Sequence, residues 1–248
     1  MSPPSRQQLR AVLQLRELVL SGEFEPGARI PELLVVEKLG MSRTPVRLAL
    51  SALEDEGLLD GSPGGGYAVR DFSFADIVDA IEVRGVLEGT AARFAAERHT
   101  GPKSLAPLAQ VVRELDHVLA DRRSLAAKFE GYVELNGVFH GRLLDLADSG
   151  MLRRAMARAV ALPFASPNAF LSVQSKGPQS LEILRIGQRH HRELLAAIAA
   201  RDEARAEALG RDHAQLARRN LDLALDRREL LARVPGSALI GGRTDGAA

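Results

Sequence analysis

Residues 28–59 read ARIPELLVVEKLGMSRTPVRLALSALEDEGLL, and their punctuation predicts two short helices joined by a tight turn. Between Glu32 and Leu39, the residues Val35, Val36 and Leu39 carry the three- and four-residue spacing that gathers side chains on one helical face. Gly40 closes that helix, because a helix end commonly takes a left-handed residue and glycine adopts it without strain. Ser42 is a good N-cap, and Pro45 falls in the first turn of the next helix, where a missing N–H has no intrahelical partner to lose. The second helix therefore starts at about Arg43.

On this second helix Val46, Leu50 and Leu53 form the stripe to be buried, while Arg43 and Arg47, four apart, share another face with Ser51. A guanidinium fork can hold guanine O6 and N7, or a phosphate, at two points. By itself an arginine pair at this spacing is more often a solvated helix face. Its surroundings shift that balance. Upstream, Gln8 to Leu20 reads as an amphipathic helix closed by Ser21-Gly22 and by Glu25-Pro26-Gly27. Downstream, Gly57-Leu58-Leu59 leads through Ser62-Pro63-Gly64-Gly65-Gly66 to Tyr67-Ala68-Val69, a glycine-rich turn between two strand-like runs. Three helices plus a β-hairpin predict a winged helix-turn-helix over residues 1–72.

That stretch resembles the winged-helix domain of GntR-type bacterial transcriptional regulators, on the runs SGEFEPGARIPE, LGMSRTPVRLAL and LEDEGLLDGSPGGGYAV. The resemblance implies that Ser42, Arg43, Thr44 and Arg47 contact a double-stranded DNA operator. It also implies that Gly64 to Gly66, with Gly65 and Gly66 at the tip, form a wing reaching toward the minor groove. Residues 1–72 hold eight Lys/Arg against ten Asp/Glu, so non-specific affinity for phosphates is expected to be weak and binding to need two copies of the domain.

Whole-chain properties are ordinary for a globular protein: 248 residues, 46% hydrophobic, 26% charged and a formal net charge of +1. The absence of cysteine excludes disulfides and thiolate metal sites. Arg10, Arg16 and Glu17 interrupt the N-terminal apolar residues, and no segment has the length of a membrane span, so a cytoplasmic protein with no membrane partner is expected.

After the connector Asp71-Phe72-Ser73 the composition turns to Ala, Leu, Arg and Glu with helical periodicity. Helices are expected at about 74–98, 103–121, 124–147, 150–162, 178–200 and 203–233, with Ser73 as a plausible N-cap and Ala161 to Ser180 the least regular stretch. The overall expectation is a mainly α chain: the winged domain, an all-α antiparallel bundle over 73–234, and a disordered tail over 235–248.

Histidines carry the chemistry of the helical half. Asn136 and His140 are four apart on one helix and share a face. His191 and His213 are each eleven residues from Asp202, so in a helix pair folding back there both lie about 16 Å from the turn and can face each other. One amide oxygen and three imidazoles converging in a bundle suit a divalent ion such as zinc, nickel or manganese. The bland reading, a surface or satisfied core histidine, is assigned to His99, His117 and His190. His191 is preferred to His190 because Leu194, Leu195 and Ile198 place it at the inner edge of its helix.

The runs VRGVLEGTAARFAA, NGVFH and HRELLAAIAARDEARAEALGRDH resemble the all-helical FCD effector domain of the FadR-type branch of the same regulators. That resemblance implies a metal held by Asn136, His140, His191 and His213, where aspartate is the more frequent first ligand. It implies further that Arg84 faces the pocket and pairs with a carboxylate effector; the alternative for Arg84 is an ion pair with Glu88 on the same helix. The expected whole is a homodimeric, ligand-responsive transcriptional repressor holding a small carboxylate at the metal. A metalloenzyme is the other class weighed, and it is disfavoured because no His-Glu-x-x-His element or positioned base is present. A regulator with a purely structural metal is the third.

Overall fold

The computed structural model describes residues 5–62, 64–99, 101–122, 124–169, 171, 180–225, 234 and 236–240. Two compact units divide the chain, one of Met1–Ile77, Ala161–Pro163 and Pro235–Ala248, the other of Val78–Val160 and Phe164–Val234.

The first unit contains α1 (Arg6–Leu20), β1 (Arg29–Ile30), α2 (Glu32–Leu39), α3 (Arg43–Asp55), β2 (Leu59–Gly61) and β3 (Tyr67–Val69). Local signals set these limits. Ser5 and Gln8 form a capping box at the start of α1, and Gly40 ends α2 at φ 61°. Ser42 stands at the N-cap of α3 in extended conformation but accepts no hydrogen bond through its side chain. The expected stripe of α3 is buried: Val46, Leu50 and Leu53, together with Ala49, pack beneath α1. A bidentate pair, Arg16 Nε to Glu56 Oε2 at 3.1 Å and Nη2 to Oε1 at 2.6 Å, ties α1 to the C-cap of α3.

The expected wing hairpin is present, with β2 antiparallel to β3, and β1 joins it on β3 to make a three-stranded sheet in the order β1-β3-β2. One expectation for this unit is corrected: the chain beyond residue 235 is not all without packing. Ser237–Leu239 form a 3-10 turn, Leu239 is fully buried, and its carbonyl accepts from Phe72 N at 3.0 Å. The burial of Leu239 offsets the ordering cost that had suggested disorder.

The second unit is all helical: α4 (Phe74–Arg98, its first turn in the other unit), α5 (Pro102–Ala120), α6 (Leu125–Ala147), α7 (Gly150–Ala159), a 3-10 turn at Pro163–Ala165, α8 (Ser180–Ala199) and α9 (Glu203–Leu225). A capping box between Ser73 and Asp76 starts α4. Helix α7 stops three residues short of the expected 162 and gives way to the 3-10 turn. Expectations for 172–179, 226–233 and 241–248 lie outside the described residues.

Helix α5 packs on α6 and α8, and α8 on α9, around a core that includes Leu108, Leu115, Phe139, Leu143, Leu184 and Ile198. Helices α4 and α9 meet through glycine. A Cβ at Gly210 would stand 2.9 Å from Gly89 Cα, and one at Gly89 would stand 2.8 Å from the Glu207 carbonyl oxygen. Only hydrogen at both positions allows this approach, which brings Arg84 and Glu88 of α4 to the face of α9 that carries His213.

Candidate metal centre and nucleic-acid interface

His140 on α6, His191 on α8 and His213 on α9 converge, with one ligand-capable nitrogen from each lying within 4.8 Å of the others. The Nε2 atoms of His191 and His213 are 3.2 Å apart. Two imidazoles bound side by side to one ion, at metal–nitrogen distances of about 2.0–2.1 Å, have their nitrogens about 3 Å apart. His190 is not one of the three, although its ring is 5.9 Å from that of His213. His99 is buried elsewhere, with Nδ1 accepting from Gly101 N, and His117 is exposed on α5.

The rings are held from behind. Phe139 packs on His191 with centroids 4.0 Å apart, and the Tyr132 ring lies nearly parallel to that of His191 at 6.2 Å. Gln188 Oε1 faces His191 Nδ1 at 3.1 Å, while Gln188 Nε2 donates to the Val112 carbonyl and to Asp116 Oδ1. Burial, reinforced by the neighbouring imidazoles, pushes both His191 and His213 well below the usual range. Neutral imidazole is the form that ligates a metal.

Sequence reasoning treated Glu88 only as a possible partner of Arg84. In the structure Glu88 does both jobs: Oε1 lies 3.8 Å from Arg84 Nη1 and 3.1 Å from His140 Nδ1. Neither Glu88 Oε1 nor His140 Nδ1 has the angular geometry of a hydrogen bond, so this is a close electrostatic contact. Burial raises the Glu88 carboxyl, but the charges of His140 and Arg84 outweigh it and hold the group at about 2. A carboxylate beside the outer nitrogen of a ligand histidine fixes the ring and its tautomer.

Asn136 is buried on α6 one turn before His140, with Nδ2 donating to Asn168 Oδ1 at 2.8 Å. It lines a cavity of about 200 Å³ together with Arg84, Tyr132 and His213, against a wall that includes Ile183, Ile186 and Leu216. Arg84 is 2% exposed, donates through Nη2 to the Ala214 carbonyl at 3.2 Å, and leaves Nε buried without a partner. A buried guanidinium N–H without an acceptor, beside a cavity, suits an anion.

In the first unit Ser42, Arg43, Thr44 and Arg47 are all exposed on one end of α3. Arg47 Nε donates to Glu32 Oε2 at 2.8 Å across the turn between α2 and α3. Gly64, Gly65 and Gly66 have φ of 92°, 92° and 91°, a region where a side chain is strained, so the tip is bare backbone. Ser62 N donates to the Gly66 carbonyl and Gly65 N to the Ser62 carbonyl, which closes the turn.

A winged helix-turn-helix together with a helical bundle built around convergent histidines defines a bacterial regulatory protein of two domains. The chain belongs to the family of bacterial regulatory proteins named gntR, which matches residues 7–69, and carries an FCD domain, which matches residues 79–216. It is 25% identical over 153 residues to the HTH-type transcriptional regulator YdhC of Bacillus subtilis (strain 168), covering 62% of this chain and 66% of that one. It is 31% identical over 139 residues to the Nta operon transcriptional regulator of Aminobacter aminovorans, covering 56% and 63%. The matched part thus spans a little under two thirds of these relatives. Among solved structures, E. coli McbR/YncC shares the fold at a TM-score of 0.57, with 22% identity over 91% of this chain and all of that one. The family and these relatives are regulators rather than enzymes, and no described helix is long and apolar enough to cross a membrane.

Proposed function

We propose that this protein is a sequence-specific, ligand-responsive transcriptional repressor that binds operator DNA as a homodimer in the cytoplasm. The observation that carries the sensing half is the convergence of His140, His191 and His213 beside a cavity that the buried Arg84 lines. Those three imidazoles, with Asn136 Oδ1 as a fourth donor, would hold a divalent ion, zinc, nickel or manganese; the imidazole nitrogens favour zinc and nickel, and only the amide oxygen favours manganese. The ion would supply positive charge to hold an anionic ligand, and Arg84 would clamp the same group through its fork. The Ile183, Ile186 and Leu216 wall then favours a carboxylate with an apolar body over a small polyacid.

Support for the DNA half comes from the exposed Ser42, Arg43, Thr44 and Arg47 and from the bare wing at Gly65 and Gly66. With an acidic balance over residues 1–72, two recognition helices on half-sites about one helical turn apart make up the affinity that one copy lacks. Val83 and Val86 on α4, 53% and 45% exposed, are apolar surface that pairing would cover. Ligand binding would shift the populations of dimer arrangements that do and do not fit the operator.

The test is a thermal-shift screen of carboxylic acids on metal-depleted and metal-loaded protein. A stabilisation seen only with both acid and metal supports the reading, since a ligand of the folded state raises stability as RT ln(1 + [L]/Kd). Stripped protein that unfolds, and loaded protein that ignores every acid, would assign the metal a structural role instead.

A further inference from the structure

The oxygen and nitrogen of an asparagine amide have the same shape, so only the hydrogen-bond network decides which one faces a site. For Asn136 that decision can be traced to its origin. The Val133 carbonyl on α6 can only accept, and Asn168 Nδ2 donates to it at 3.0 Å. Asn168 must therefore turn Oδ1 toward Asn136, and Asn136 answers with Nδ2 at 2.8 Å. Its Oδ1 is left on the other arm of the amide, and Asn136 lines the cavity together with Arg84 and His213.

We infer that Asn168 is a positioning residue, which passes the acceptor polarity of the Val133 carbonyl through two amides and so presents Asn136 Oδ1 to the imidazole cluster. The inference rests on the metal-binding reading above. An amide nitrogen has no lone pair to give a cation, so a flipped Asn136 contributes no ligand and turns a donor toward positive charge. An aspartate at position 136 would need no such relay, because both of its oxygens accept. Indeed Asn168 Oδ1 would then oppose a carboxylate oxygen. The relay is thus what an asparagine requires in this place.

The experiment is a double-mutant cycle on the full chain, with zinc affinity read by chelator competition and folding checked by the melting curve of metal-free protein. Asn168→Ala alone is expected to weaken zinc binding about tenfold or more, the scale of an outer partner of a ligand. In the Asn136→Asp background the same Asn168→Ala change is expected to leave affinity unchanged or to raise it. Asn168→Asp, which keeps an acceptor for Asn136 Nδ2 but sets its other oxygen against the Val133 carbonyl, is expected to retain affinity at a lower melting temperature than wild type, and supplies the readout if the alanine variant folds poorly. Equal losses in both backgrounds would mean that Asn168 merely packs, and no loss in either would mean that no relay operates; each overturns the inference alone. Wild-type protein that takes up no zinc, nickel or manganese overturns the metal reading, and the relay with it.

Discussion

Gln188 Oε1 faces His191 Nδ1 at 3.1 Å with a polarity imposed from outside the pair, because Gln188 Nε2 is committed to two acceptors, Val112 O and Asp116 Oδ1. His191 must place its proton on Nδ1, which leaves Nε2 as the lone pair facing His213. Gln188→Leu is expected to weaken metal binding about 10- to 100-fold while the protein stays folded. In metal-free protein the imidazole nitrogen shifts of His191 should change from a single tautomer to a mixture. An unaltered tautomer in the variant would sink the assignment.

His140→Ala removes one of three converging imidazoles from a cluster whose other members sit on different helices. Metal retention is expected to fall by more than about 100-fold, beyond the range of outer partners, with the helical signal of the protein preserved. Elemental analysis after dialysis gives the answer; unchanged stoichiometry would place the metal elsewhere.

Stability should depend on pH in a defined window. His191 and His213, held low first by burial and then by neighbouring rings, bind fewer protons folded than unfolded once the pH drops below about 6.5, the ordinary value they regain on unfolding. Metal-free protein is therefore most stable above that pH and loses about 1.4 kcal/mol per unit for each ring below it. Glu88, held at about 2, adds its own loss only below about 4.5, where the unfolded carboxyl takes up a proton. Urea midpoints measured on both sides of the imidazole value decide the matter, a flat profile being the adverse result.

Two helical glycines should respond to alanine with opposite signs. At Gly210 in α9 a Cβ meets the Gly89 backbone at 2.9–3.0 Å, whereas at Gly141 in α6 it meets nothing within 4 Å. Gly210→Ala is expected to cost about 1–3 kcal/mol through overpacking, and Gly141→Ala to gain up to about 1 kcal/mol through helix propensity. Chemical denaturation of the two variants side by side reports both; a stabilised Gly210→Ala would contradict the tight crossing.

Arg43 is exposed at the first position of α3. Arg43→Ala is expected to weaken operator binding by about 1–3 kcal/mol and random DNA far less. Equal loss on both, in competition gels at fixed salt, would reduce Arg43 to a phosphate contact.

Much of the fold was legible because its signals are local. Helices α2 and α4 begin and end where the sequence places them, since Gly40 and the Ser73–Asp76 capping box act within a turn. What escaped depends on partners distant in sequence. Two-residue β1 has no pattern of its own and exists through β3, and Leu239 is buried only because Phe72 and its surroundings are there to receive it. At the site, the histidines could be found from equal spacing about Asp202. Glu88 sat in plain view four residues after Arg84, but its approach to His140 on α6 is a contact between helices that spacing within α4 does not reveal. Gln188, three before His191, offered a helical-spacing clue; Asn168, in irregular chain, offered none.

The placement of Leu239 also bears on the order in which a ribosome delivers this protein. The unit that carries α3 lacks a piece of its interior until Gly236–Ile240 has been made, since the Leu239 carbonyl receives Phe72 N and a Cβ at Gly22 would stand 2.9 Å from Ala238. Domains generally fold in the order of synthesis, yet here the amino-terminal one cannot be completed before the histidine-bearing helices have been translated. A nascent chain thus cannot finish its winged domain before the helical domain has been made.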